Sequence, residues 1–226
     1  RKPDHHLRLS ENHGSIDGMS ALAAFLRPAL DLLALPACPR CAAAVDRAHA
    51  LCADCWRDLR FIGPWRCRSC GVPFEFDGGD AMICAGCRAD PPPWDRARSA
   101  VVYDDGARPL ILAFKHADRT DLAPMLARMM ATPAADLLES ADCVAPVPLH
   151  WLRLATRRYN QSALLAQRVA KMAGKPYRPQ LLRRVKRTAA LGSAGPTARQ
   201  SLLQGAIKPA PGLKLEGARV LLVDDV

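Results

Sequence analysis

The apolar positions fall into a short series of periodic runs. Over residues 20–36, Leu22, Phe25, Leu26, Leu30 and Leu33 recur at helical spacing, with Ser20 as a cap and Pro28 inside the run. This predicts a helix docked on the protein. Further on, SAVVYDDG at 99–106 predicts a strand followed by a turn, and RPLILAFKH at 108–116 an amphipathic helix carrying Lys115. Residues 122–140 predict a helix broken near Pro133. CVAPVP at 143–148 predicts a short buried strand, ended by Pro146 and Pro148. NQSALLAQRVAKMAG at 160–174 predicts a helix closed by Gly174. RVLLVDD at 219–225 predicts a second buried strand, apolar on both faces. Strands alternating with helices imply an α/β fold with a parallel sheet.

The 226 residues allow one large domain or two small ones. Half of them are apolar and 24% are charged, which excludes disorder throughout. No run reaches the roughly 18 apolar residues of a membrane span. Aromatics are only 5%, which argues against an aromatic-rich base-stacking surface. Residues 1–18 are polar and without period, and are expected to be either an upstream translated leader or a disordered tail outside the fold.

Nine cysteines change the picture, because eight form four C-x-x-C pairs: Cys38/Cys41, Cys52/Cys55, Cys67/Cys70 and Cys84/Cys87. One such turn offers two thiolates from the same side, and two turns complete a tetrahedral zinc site. Consecutive pairing closes the shortest loops. It predicts two zinc ions, one on the first four cysteines and one on the last four. Cross-braced pairing would swap the partners. With every position filled by protein, the zinc is structural, and it stabilises a module too small to bury much apolar surface. A disulfide scaffold lacks its secretory signal, and a thioredoxin-like pair lacks its βαβ surroundings. Gly71 suits a tight knuckle because glycine tolerates positive φ. His49, three residues before Cys52, is expected to face solvent, and Cys143 to be a small buried apolar residue.

Charge is segregated. Residues 143–215 hold 14 Lys or Arg and no acid, whereas the rest of the chain holds 18 basic and 22 acidic residues. An anionic partner for this segment follows, either a phosphorylated substrate or a nucleic-acid backbone. Asp224 and Asp225 end a strand, and ligands of open parallel sheets bind beyond carboxyl ends of strands. Two acids there suit ribose hydroxyls or Mg²⁺. No G-x-x-x-x-G-K-[ST] occurs, which disfavours a P-loop ATPase.

The four C-x-x-C pairs followed by YDDGARPLILAFKH, PVPLHWLRLATRRYNQS, LLRRVKRT and VLLVDDV resemble the ComF family. Its members are double zinc-ribbon proteins with a type I phosphoribosyltransferase domain. The resemblance spans about residues 20–226. With the polar leader over 1–18 set aside, it implies an N-terminal helix over 19–36, a double zinc ribbon over 37–95 and a phosphoribosyltransferase-like domain over 96–226. VLLVDDV matches the start of the phosphoribosyl pyrophosphate signature, so the chain is expected to be cut within it and to lack part of the substrate site.

The resemblance also implies roles. Asp224 and Asp225 would contact ribose hydroxyls. Arg157, Arg158, Tyr159, Asn160 and Gln161 would form part of the pyrophosphate side. Arg184, Arg187 and Thr188 would lie on a mobile covering loop, and Lys115 would point towards the same pocket. The chain departs from the family pattern at Arg158, Leu191 and Leu202, where Gly, Gln and Asn are usual. Implied further are phosphoribosyl pyrophosphate with Mg²⁺ as substrate, a glycosyltransferase chemistry, a cytoplasmic location, and a link to DNA uptake in natural competence alongside other competence proteins. The rival expectation is a non-enzymatic zinc protein that binds single-stranded DNA and keeps the transferase fold as a scaffold.

Overall fold

Each cysteine knuckle is a hairpin closed by backbone hydrogen bonds. In the first, Cys38 N donates to Ala43 O (2.7 Å) and Ala42 N to Cys38 O (2.8 Å). In the second, Cys67 N donates to Val72 O (2.8 Å) and Gly71 N to Cys67 O (2.9 Å). The residue after the second cysteine of each pair turns left-handed, at φ 77° for Gly71 and 62° for Ala42. Glycine adopts that conformation freely, whereas alanine is strained by its Cβ. The partner pairs sit at the starts of two five-residue helices, α1 (Ala53–Arg57) and α2 (Ala85–Ala89). Cys52 and Cys84 are their N-caps, each sulfur accepting from the backbone N–H three residues on.

The computed structural model describes residues 36–79, 81–116, 119–149, 159–186, 201, 203–213 and 215–225. The leader over 1–18, and the helix over 19–36 except Pro36, lie outside them. From Ala37 on, the chain is one compact unit.

After the ribbons come α3 (Arg108–His116), a 3₁₀ turn at Thr120–Leu122, α4 (Ala123–Ala131) and α5 (Ala135–Ser140), the break falling at Pro133 as expected. Strand β1 (Cys143–Pro146), helix α6 (Gln161–Met172), the hairpin strands β2 (Leu182–Arg184) and β3 (Ile207–Pro209), and β4 (Val220–Val223) follow. Gly174 closes α6 in the left-handed region, φ 62°.

Strands β1 and β4 pair in parallel, with Cys143 opposite Val220 and Pro146 opposite Val223. Helix α6 packs on both strands and on α4. The main core lies between them and includes Phe114, Leu122, Val144, Leu165, Val169 and Val223; Leu59, from the ribbon module, belongs to the same core. Burial of such side chains contributes about 1.5–3 kcal/mol each, so the ribbons and the α/β part are joined by the hydrophobic effect as well as by the chain.

Two expectations are corrected. Residues 99–106 form no strand of the sheet. Val101 makes a single antiparallel bridge to Phe61 of the ribbon module. Asp104 Oδ1 then accepts from Gly106 N and Ala107 N, an Asx turn that starts α3. Nor is β4 buried on both faces. Leu221 and Val223 meet the main core, whereas on the other face a small cluster of Cys143, Ala145, Leu181, Leu215 and Val220 ends before Leu222, which is 50% exposed. The β2–β3 hairpin was not predicted by the apolar pattern, because its short strands are only partly buried.

Candidate functional site

The eight paired cysteines form two clusters, Cys38, Cys41, Cys52, Cys55 and Cys67, Cys70, Cys84, Cys87, with sulfurs within 4.8 Å of one another in each. Consecutive pairing is therefore the arrangement adopted. Cys41 Sγ lies 3.6 Å from Cys52 Sγ, and Cys70 Sγ 3.7 Å from Cys84 Sγ. Four thiolates at the usual Zn–S distance stand about 3.8 Å apart, so each cluster fits a structural zinc ion.

As thiols, the four groups of a cluster oppose one another. Burial pushes Cys38 and Cys67 upward, but backbone N–H donors outweigh it and lower both to about 6. Burial, with neighbouring sulfurs adding to it, pushes Cys55 and Cys70 up to about 12. A dication relieves this crowding by taking all four as thiolates. His49 is outside both clusters, half-exposed and 3.6 Å from Asp121. Cys143 is buried, and burial raises its thiol.

A second constellation forms at the carboxyl edge of β1 and β4. Asp224 and Asp225 follow β4 directly, and Val147 N, just past β1, donates to Val223 O (3.0 Å). The start of α6 is aimed at this edge. Ser162 Oγ donates to Asp224 Oδ1 (2.7 Å), Asn160 Nδ2 to Val147 O (3.1 Å) and Gln161 Nε2 to Lys115 O (3.0 Å). Tyr159 OH donates to Phe114 O (3.4 Å), which ties the same turn to α3. From α3, Lys115 Nζ reaches Asp225 Oδ2 at 3.3 Å. Three segments far apart in sequence thus meet at one sheet edge.

The acids differ in environment. Burial raises the Asp224 carboxyl above the usual range; the Ser162 hydroxyl opposes the rise, and the charge of Asp225 adds to it. Asn160 Oδ1 is buried without a partner among the described residues, an acceptor left open beside the site. Both acids border a cavity of about 520 Å³, whose other walls include Tyr103 and Phe114 and, from the second knuckle, Gly71 and Val72.

Of the residues expected here, Lys115, Tyr159, Asn160, Gln161, Asp224 and Asp225 are brought together. Arg184 lies on the β2–β3 hairpin, opposite Ile207. Arg157, Arg158, Arg187 and Thr188 lie outside the described residues. Ser162 was not singled out from sequence. Its signal was present as the last residue of RRYNQS, a hydroxyl in the first turn of a predicted helix, but nothing local says which carboxylate it meets.

The double zinc ribbon domain family matches residues 29–88. The chain is 31% identical over 182 residues to DNA utilization protein YhgH of Salmonella typhi, covering 78% of this chain and 77% of that protein. It is 28% identical over 184 residues to Competence protein F of Haemophilus influenzae (79% and 78% covered) and 27% identical over 181 residues to DNA utilization protein YhgH of Shigella flexneri (78% and 77%). No solved structure is significantly similar. Among the described residues no helix is long and apolar enough to cross a membrane.

Proposed function

This chain belongs to the ComF family, with DNA utilization protein YhgH and Competence protein F as relatives, and we propose that it binds phosphoribosyl pyrophosphate at the carboxyl edge of β1 and β4 in the service of DNA utilisation. The observation that carries this reading is the convergence of Asp224, Asp225, Ser162 and Lys115 on that edge. Parallel sheets bind ligands beyond the carboxyl ends of their strands, where backbone groups are free and side chains from successive connections meet.

Each residue has a role in this reading. Asp225 and Asp224 accept hydrogen bonds from the two ribose hydroxyls. Ser162 holds the Asp224 carboxylate in place through its 2.7 Å bond, so the acid is oriented before the sugar arrives. Lys115 neutralises Asp225 at rest and is near enough to turn towards an incoming phosphate. The basic residues 143–215 attract the polyanion from a distance. Carboxylates are the hard oxygen donors that Mg²⁺ takes, so Asp224 and Asp225 suit that ion, which would neutralise pyrophosphate charge. The two zinc clusters hold the ribbon module rigid beside the cavity, and a protein with eight paired thiols reduced for metal fits the cytoplasm.

Isothermal titration calorimetry of the zinc-loaded chain with phosphoribosyl pyrophosphate, with and without Mg²⁺, tests the reading. Asp225→Asn removes a charged hydrogen-bond acceptor, and affinity is expected to fall by about 1.5–3 kcal/mol. Binding that is indifferent to Asp225→Asn, or binding of pyrophosphate as tight as that of the full substrate, would refute a ribose contact at these acids.

A further inference from the structure

One wall of the cavity at the carboxyl edge is built by the second zinc knuckle. Cys70, Gly71, Val72 and Pro73 line it together with Asp224 and Asp225, whereas no cysteine of the first cluster is among the described lining residues. Cys70 thus belongs both to the second cluster and to the cavity wall. Only Gly71 separates it from Val72, too little chain to absorb a displacement of the turn.

The knuckle also fixes the segment beside it. Ala97 N donates to Ser69 O (2.6 Å) and Arg98 Nη1 to Arg68 O (3.0 Å). Gly71 approaches so closely that a Cβ on it would stand 2.8 Å from Ala97 O. Arg98, its side chain 8% exposed, is held in turn by Asp136 of α5 (2.8 Å), in a pocket that Arg66, Arg68 and Arg96 complete. The chain then runs through Val101 and Val102 to Tyr103, all in the cavity wall. Two apolar groups of this wall stay open: Val72 is 43% exposed and Tyr103 50%. A turn of this size buries little apolar surface, so metal rather than packing holds its shape.

We propose that the second zinc knuckle is part of the ligand site: Val72 covers the carbon face of the sugar, and zinc in that cluster and ligand at the carboxyl edge strengthen each other's binding. This rests on the reading of that edge as a phosphoribosyl pyrophosphate site. A ligand shifts an equilibrium only by binding one state better than another. Here it meets Val72 only when the filled cluster holds the turn in place. Linkage makes the coupling reciprocal, so the ligand tightens the second cluster by the factor by which zinc tightens the ligand. The first cluster, outside the wall, gains nothing of this kind. Loss of one zinc ion therefore weakens the ligand site with no change at Asp224 or Asp225.

Pulsed alkylation of the zinc-loaded full chain tests this. A competing zinc chelator that leaves Mg²⁺ free empties each cluster, and dilute N-ethylmaleimide marks the thiols so exposed, at a rate that follows the emptied fraction. Tryptic peptides resolve the clusters, because Arg57, Arg60, Arg66 and Arg68 separate Cys41, Cys52 and Cys55 from Cys70, Cys84 and Cys87. Phosphoribosyl pyrophosphate with Mg²⁺ is expected to slow modification of Cys70, Cys84 and Cys87 about 5- to 150-fold, the usual range of coupling between two sites, and to leave Cys41, Cys52 and Cys55 unchanged. Val72→Ala keeps all eight cysteines. It should hold both zinc ions, bind the ligand about three- to tenfold more weakly and give correspondingly less protection. Calorimetry on the same samples separates the failures. A ligand that binds but protects neither cluster, or both equally, overturns the coupling and leaves the carboxyl-edge reading intact. A ligand that does not bind overturns both. Binding and protection untouched by Val72→Ala would remove the knuckle from the site.

Discussion

The bond between Ser162 and Asp224 makes a quantitative prediction, because a donor only 4% exposed meets a carboxylate that stays open to solvent. Burial raises the Asp224 pKa, and a group more basic in the folded state than in the unfolded state stabilises the fold at low pH. That contribution is complete below the ordinary carboxylate range and is lost as pH rises through the native value. Asp224→Asn removes the charge and keeps an oxygen for Ser162 and for Asp225 N, which donates to the same Oδ1 at 2.9 Å. It should weaken substrate binding. Ser162→Ala should lower stability by about 1.5–3 kcal/mol in the presence of the ionised acid, the range of a hydrogen bond to a charged group. In the Asp224→Asn background the same change loses only a neutral bond, about 0.5–1.5 kcal/mol. The double-mutant cycle should thus show coupling of about 1–1.5 kcal/mol, the difference between those two ranges. Urea unfolding of the four zinc-saturated proteins at neutral pH measures it. Additive effects would refute the argument.

Native mass spectrometry should find two zinc ions per chain, and Cys67→Ser or Cys41→Ser should each remove one. Chelator should empty the first cluster before the second, because Cys41 is exposed whereas no member of the second cluster is; a single phase would contradict this. Ala42→Gly should stabilise the protein by about 0.5–1 kcal/mol by relieving the left-handed turn, read as a raised unfolding midpoint. The converse, Gly71→Ala, should destabilise by at least about 1 kcal/mol, since its Cβ would stand 2.8 Å from the carbonyl oxygen of Ala97. Phe114→Ala, at a core side chain 1% exposed, should cost about 3–5 kcal/mol in urea unfolding.

Much of this protein is local and therefore legible along the chain. The C-x-x-C turns, the left-handed glycine at Gly71, the helices over Arg108–His116 and Gln161–Met172, and the break at Pro133 all depend on residues within a few positions of one another. Consecutive pairing of the cysteines was legible for the same reason, since the shorter loops cost less entropy to close. Asp224 and Asp225 could be singled out because two acids ending an apolar run conflict with burial. Tertiary structure alone decided who meets whom. Residues 99–106 read as a strand, but Val101 found Phe61 of the ribbon instead of a sheet neighbour. Ser162 met Asp224, 62 positions away, because β4 pairs beside β1 and α6 starts at their carboxyl edge. Arg66, Arg68, Arg96 and Arg98 became one pocket only when α5 brought Asp136 between them. Periodicity records which face of a segment avoids water, but not its partner. Charge surplus, desolvation and hydrogen-bond pairing depend on distances in space, and those exist only once the chain has folded.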